Sequence, residues 1–160
     1  MQGAKSAAAS MAEGTFQVEL DLKEHYRFAV RFDDPALPVL VTDEPPPVGA
    51  GAGPNPARLL GAAVANYLAA SLLFALRKFG NEPGAVHATA AVTLARNEHG
   101  RLRVPAIRVD IQLGVPAQAL KRLDRALEQF EEFCVVTQSV RAGIAVEVRV
   151  TDSNGIPLKL

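Results

Sequence analysis

The chain has 160 residues, 49% of them hydrophobic, with 17 Lys plus Arg against 17 Asp plus Glu, which is one domain of ordinary size with enough apolar mass for a core. At a formal net charge of +0 no field draws it to nucleic acid or to an anionic membrane surface, and neither is expected as a partner. One cysteine and 3 scattered histidines exclude an intrachain disulfide framework and a thiolate metal cluster, and nothing argues for secretion.

Residues 1–14, rich in Ala and Ser with one lysine, lack the continuous apolar run of a signal peptide and read as a flexible leader, with Met11 as an alternative start. Residues 15–160 read as a single domain. Phe16, Val18, Leu20 and Leu22 alternate with Gln17, Glu19, Asp21 and Lys23, the pattern of a half-buried strand. Tyr26, Phe28, Val30 and Phe32 repeat it across a Lys23–His25 connection, predicting a hairpin. Val39–Val41 is a short third extended piece, and the Pro- and Gly-rich stretch from Asp43 to Pro56 is a loop.

The longest apolar segment follows. It enters through Gly53-Pro-Asn-Pro56, runs through Leu59–Leu76, and stops at Arg77-Lys78 before Gly80 and Pro83, a helix with both boundary signals. Its length approaches a membrane span, but the Ala-rich interior, broken by Asn66 and Ser71, fits a buried central helix better. Val86–Arg96 and Arg101–Leu113 form a second hairpin about the turn Asn97-Glu98-His99-Gly100, and Pro105 predicts a bulge or an edge position in its second strand. Pro116 opens a second helix whose stripe is Leu120, Leu123, Leu127, Phe130 and Cys134. Ile144, Val146, Val148 and Val150 make a last strand, ended by Asp152-Ser153-Asn154-Gly155. The order β-β-(β)-α-β-β-α-β defines an α+β fold of antiparallel hairpins around a long central helix and a second helix.

Gly53-Pro-Asn-Pro56 leading into Leu59-Leu60-Gly61-Ala62-Ala63, the length of that helix, and Glu131-Glu132-Phe133-Cys134-Val135-Val136 together resemble the OsmC/Ohr family, the osmotically induced and organic-hydroperoxide-resistance proteins, over roughly residues 16–152. The resemblance implies an intertwined homodimer with a site at the subunit interface and no cofactor. It also implies thiol peroxidase chemistry: a peroxidatic cysteine in the first helix attacks an organic hydroperoxide, and a second cysteine closes a disulfide that a dithiol reduces. Matched residue by residue, the second cysteine falls on Cys134, but the peroxidatic position falls on Tyr67 and the glutamate after Asn-Pro on Ala57. The family's arginine has no secure counterpart; Arg27 and Arg31 are candidates on early strands.

A phenol is little ionised at neutrality and its oxygen is a poor nucleophile toward peroxide, so Tyr67 is expected to fill the space of a reactive pocket rather than to react, the alternative being a redox or ligand-contacting tyrosine above a small apolar molecule. Cys134, continuing an apolar stripe, is expected to be a shielded thiol. Asn66 and Ser71 are candidates to line a small apolar ligand's pocket or to bond across to a second copy, and Arg58, at a helix start where the dipole disfavours a cation, to reach an acid or an anionic ligand. His25, His87 and His99 share no ligand spacing, and Asp33-Asp34 with Asp43-Glu44 reads as a loop charge pattern, so no metal is expected. The combined expectation is a cytoplasmic, homodimeric relative of hydroperoxide reductases without two-cysteine activity; the alternative is a one-cysteine reductase or redox sensor using Cys134.

Overall fold

The computed structural model describes residues 14–160, so nearly all of the expected leader lies outside the described residues. The chain divides into two compact units at Asn55 and Pro56.

In the first unit, β1 (Val18–Glu24), β2 (Arg27–Phe32) and β3 (Leu40–Thr42) form an antiparallel sheet in chain order. The β1–β2 turn holds two residues, with His25 at φ 47, so Tyr26 belongs to the turn and not to the strand. The expectation of a half-buried first strand is not met: Val18, Leu20 and Leu22 are 50%, 57% and 59% exposed, and only Asp21 is partly covered. Alternation is a property of the sequence, whereas burial needs a second layer, and no helix forms among the described residues of this unit to supply one.

The loop after β3 is irregular yet tightly organised around Asp43, which is buried. Its carboxylate accepts the N–H groups of Glu44 (2.9 Å), Ala50 (3.1 Å) and Ala52 (3.1 Å). Gly53 passes so close to β3 that a Cβ there would stand 2.1 Å from the Val41 carbonyl oxygen, a contact only glycine permits. Asp43 is therefore a buried clasp and not part of a surface charge pattern.

In the second unit, α1 spans Pro56–Lys78. Pro56 takes the first helical position, where its missing N–H costs nothing. The far end closes with the Gly80 N–H on the Arg77 carbonyl (2.8 Å) and the Asn81 N–H on the Leu76 carbonyl (3.1 Å), with Gly80 at φ 73. That paired closure is a Schellman cap, which the basic pair and glycine foretold.

A four-stranded sheet of β4 (His87–Arg96), β5 (Leu102–Gln112), β6 (Ala145–Thr151) and β7 (Pro157–Lys159) lies in that order. β4–β5 is the expected hairpin, and its register shifts between Thr93 and Ala95, opposite the stretch that holds Pro105. Pairing of β5 with β6 begins only at Ala106, so the proline has no ladder bond to break on that side. β5 and β6 are parallel, because the segment between them crosses over through helices; β7, not anticipated, adds an antiparallel edge.

The core joins Val64, Leu68, Leu72 and Leu76 of α1 to Ile107, Val109 and Ile111 of β5, Val148 and Val150 of β6, and Leu120, Leu127, Phe130 and Cys134 of the crossover. Each such aliphatic side chain, fully withdrawn from water, contributes about 1.5–3 kcal/mol before entropy is counted. Against β4 the helix comes close: a Cβ on Gly61 would stand 2.5 Å from Val92 Cγ2.

The expected second helix is broken. A 3-10 turn covers Ala117–Ala119, Leu120 is extended, Arg122 has φ 51, α2 runs Leu123–Gln129, and α3 runs Val135–Val140 after an extended Cys134. At the first break, side chains from elsewhere take the backbone groups a helix would use. Asn81 Oδ1 accepts the Lys121 N–H at 2.7 Å, Asn81 Nδ2 donates to the Lys121 carbonyl at 2.8 Å, and Asp152 accepts the Ala117 N–H at 3.1 Å. The apolar stripe still faces inward, with Phe130 and Cys134 fully buried.

Candidate functional site

α1 presents two faces. Gly61, Val64, Ala65, Leu68, Ser71, Leu72, Ala75 and Leu76 face the core at helical spacing. The opposite side is exposed in the single chain through Ala62, Ala63, Asn66, Tyr67, Ala70 and Phe74. Tyr67 is 38% and Phe74 68% exposed. By length and composition alone α1 is long and apolar enough to cross a membrane, a property shared by core helices whose second face meets another protein surface.

Between α1 and β4 lies a cleft of about 420 Å³ lined by Ala62, Ala65, Asn66, Ala69, Ala70, Leu73, Val86 and Ala88. Asn66 is its one polar side chain. Of the other candidates, Ser71 is turned to the core, Arg58 is exposed in the first turn of α1, and Tyr67 is next to the cleft-lining Asn66 in sequence but outside the lining.

Cys134 sits at the N-cap of α3 rather than inside a helix. Its N–H donates to the Glu131 carbonyl (3.1 Å) and its Sγ donates to Thr137 Oγ1 at 2.8 Å. It is 0% exposed and belongs to the core cluster with the inner face of α1, whereas Tyr67 stands on the outer face. Arg141 does not turn toward the sulfur: it pairs with Glu131 and donates to the Val146 carbonyl at 3.5 Å. In the first unit, Arg27 pairs with Glu24, and Arg31 with Asp21 and, at 3.9 Å, with Glu19. No group of three or more His, Cys, Asp and Glu side chains among the described residues has the geometry to hold a metal ion.

Three carboxylates have pKa values below the ordinary range. For Asp43 the largest cause is the hydrogen bond from the Ala52 N–H, joined by those from Ala50 and Glu44 and opposed by burial. For Asp152 burial is the largest influence and acts upward, but the N–H groups of Ile156, Ala117 and Asn154 together outweigh it. For Glu131 burial again acts upward, and hydrogen bonds and charge from Lys159 and Arg141 prevail. Sequence reading overlooked these anchors; only Asp152, heading an Asp-Ser-Asn-Gly turn, carried a local signal, since an aspartate there bonds its own turn.

The profile of the family described as OsmC-like protein matches residues 49–149, and the chain belongs to that family. Solved structures share its fold at low identity. An organic hydroperoxide resistance protein OsmC of Legionella pneumophila has a TM-score of 0.69 at 17% identity, covering 88% of this chain and 98% of its own. The organic hydroperoxide resistance protein OhrB of Bacillus subtilis has a TM-score of 0.65 at 19% identity, covering 88% and 100%. An OsmC-like protein of unknown function from Vibrio cholerae has a TM-score of 0.72 at 16% identity, covering 86% and 99%. A search of curated proteins returns no match.

Proposed function

We propose that this OsmC-like protein acts as a cytoplasmic homodimer that does not reduce organic hydroperoxides by the two-cysteine route and instead holds a small apolar ligand at the dimer interface. The observation that carries the reading is the sulfur inventory: the one thiol, Cys134, is fully buried and bonded to Thr137, and Tyr67 stands where the family resemblance sets the attacking thiol. Two-electron reduction of a peroxide that ends in a disulfide needs two sulfurs. An apolar cleft with a single amide, Asn66, suits a molecule that is mostly hydrocarbon with one hydrogen-bonding group. The uncovered outer face of α1 supports dimerisation, since a helix apolar all round belongs inside an assembly.

The test is consumption of cumene hydroperoxide with a dithiol reductant. No turnover above the protein-free rate is expected; turnover at the rate of the Bacillus subtilis protein, abolished by Cys134→Ser, overturns the reading. The one-cysteine alternative has in its favour only that Cys134 is present, and burial of the sulfur opposes it.

A further inference from the structure

Around Cys134 the chain is built from short pieces: α2 has 7 residues, α3 has 6, and β7 has 3 with two paired positions. None is long enough to hold itself together. One carboxylate supplies the ion pairs between them. Glu131, whose side chain is 14% exposed, pairs with Arg141 at the end of α3 and, at 2.6 Å, with Lys159 Nζ on β7. Lys159 also donates to the Leu127 carbonyl of α2 at 3.4 Å and lies 5.5 Å from the centre of the Phe130 ring. The Glu131 carbonyl receives the Cys134 N–H and, at 3.0 Å, Gln138 Nε2 of α3. Removing Glu131's charge therefore breaks the ion pairs that tie the α2–α3 junction to Arg141 and to β7, leaving the main-chain bonds to Gln138 and Cys134 and the long Lys159–Leu127 bond.

The segment it holds is unevenly buried. Phe133 and Val135, on either side of the fully buried Cys134, are 60% and 61% exposed. With both neighbours already exposed, opening of the segment uncovers little apolar surface beyond Cys134 itself.

We infer that the α2–α3 junction is a latched flap, with Glu131 as the positioning residue that keeps the Cys134 thiol sealed and release of its ion pairs as the event that uncovers it. The inference goes beyond the proposed function and does not depend on peroxide chemistry, because it concerns access to the sulfur alone.

Since Cys134 is the only thiol, Ellman's reagent reads the flap directly on the full-length chain. Glu131→Gln, which keeps shape and removes charge, is expected to speed labelling about tenfold or more, as loss of a charge-assisted hydrogen bond raises the open population. Asp110→Asn, which removes the exposed pair with Arg108 and the half-buried pair with Arg149 on the sheet, away from the α2–α3 junction, is expected to leave the rate unchanged within about twofold. At low urea the wild-type labelling rate is expected to be nearly independent of denaturant, the signature of local opening. An unchanged rate in Glu131→Gln, an equal rise in Asp110→Asn, or a urea slope matching global unfolding each overturns the inference. If Glu131→Gln does not fold, Lys159→Gln carries the same test with the same outcomes.

Discussion

Cys134 and Tyr67 were both visible in the sequence by type and position, and so was the apolar shielding of Cys134, but not the local backbone around it. Cys134 lies where the stripe Leu120, Leu123, Leu127 and Phe130 leads, in the core, but at the start of a helix rather than near the end of one. Phe130, on the same stripe and fully buried, anchors that packing. Phe130→Ala is expected to lower unfolding free energy by about 3–5 kcal/mol, read by urea titration, because the cavity adds to the lost transfer energy. Tyr67 is partly exposed, so Tyr67→Ala is expected to change the unfolding of an isolated subunit by less than about 1 kcal/mol. Comparing the two substitutions separates a core role from a surface one.

At the scale of elements, boundaries carried by local chemistry were legible: the Schellman cap at Gly80, the Asn97–Gly100 turn and the irregularity opposite Pro105. The break of the second helix was not legible, since Asn81 captures Lys121 across 40 positions of chain and no local pattern encodes such a partner. Asn81→Ala, which strands the Lys121 N–H and carbonyl, is expected to cost roughly 1–3 kcal/mol in chemical denaturation. Gly61 tests the approach of α1 to β4: Gly61→Ala is expected to destabilise by about 1–3 kcal/mol through the clash with Val92, and Val92→Ala in the same chain to recover part of that loss. The anchors Asp43, Glu131 and Asp152 set the pH response of these elements. Their folded pKa values lie below their unfolded ones, so the stabilisation is complete from about one unit above the ordinary carboxylate pKa of roughly 4 and is lost as pH falls from there through the depressed values. Melting temperature measured from pH 7 to pH 3 is expected to be flat down to about pH 5 and to fall below it. Asp152→Asn is expected to lower the plateau and lessen the fall.

For the whole molecule the open question is what covers the apolar surfaces that one chain leaves exposed. The outer face of α1 with Phe74 and, separately, the β1 side chains Val18, Leu20 and Leu22 are uncovered in the single chain. A second copy is the proposed cover. Sedimentation at tens of micromolar is expected to show a dimer, and Phe74→Glu to weaken association by about tenfold or more, since a charge buried in an interface must be desolvated. A wild-type chain that stays monomeric under these conditions contradicts the proposal.

The sequence by itself determined the α+β class, the central helix with its ends, the family and the shortage of sulfur, because these reside in composition, short-range period and motif. The tertiary structure decided that α1 is covered on one face only, that β5 and β6 run parallel, that the second helix is broken, and that Asp43, Asn81, Glu131 and Asp152 hold the loops together. Those features depend on packing against other elements and on hydrogen bonds and ion pairs, some of them between residues as far apart as Asn81 and Lys121, whose energies appear only when folding brings donor and acceptor to about 3 Å.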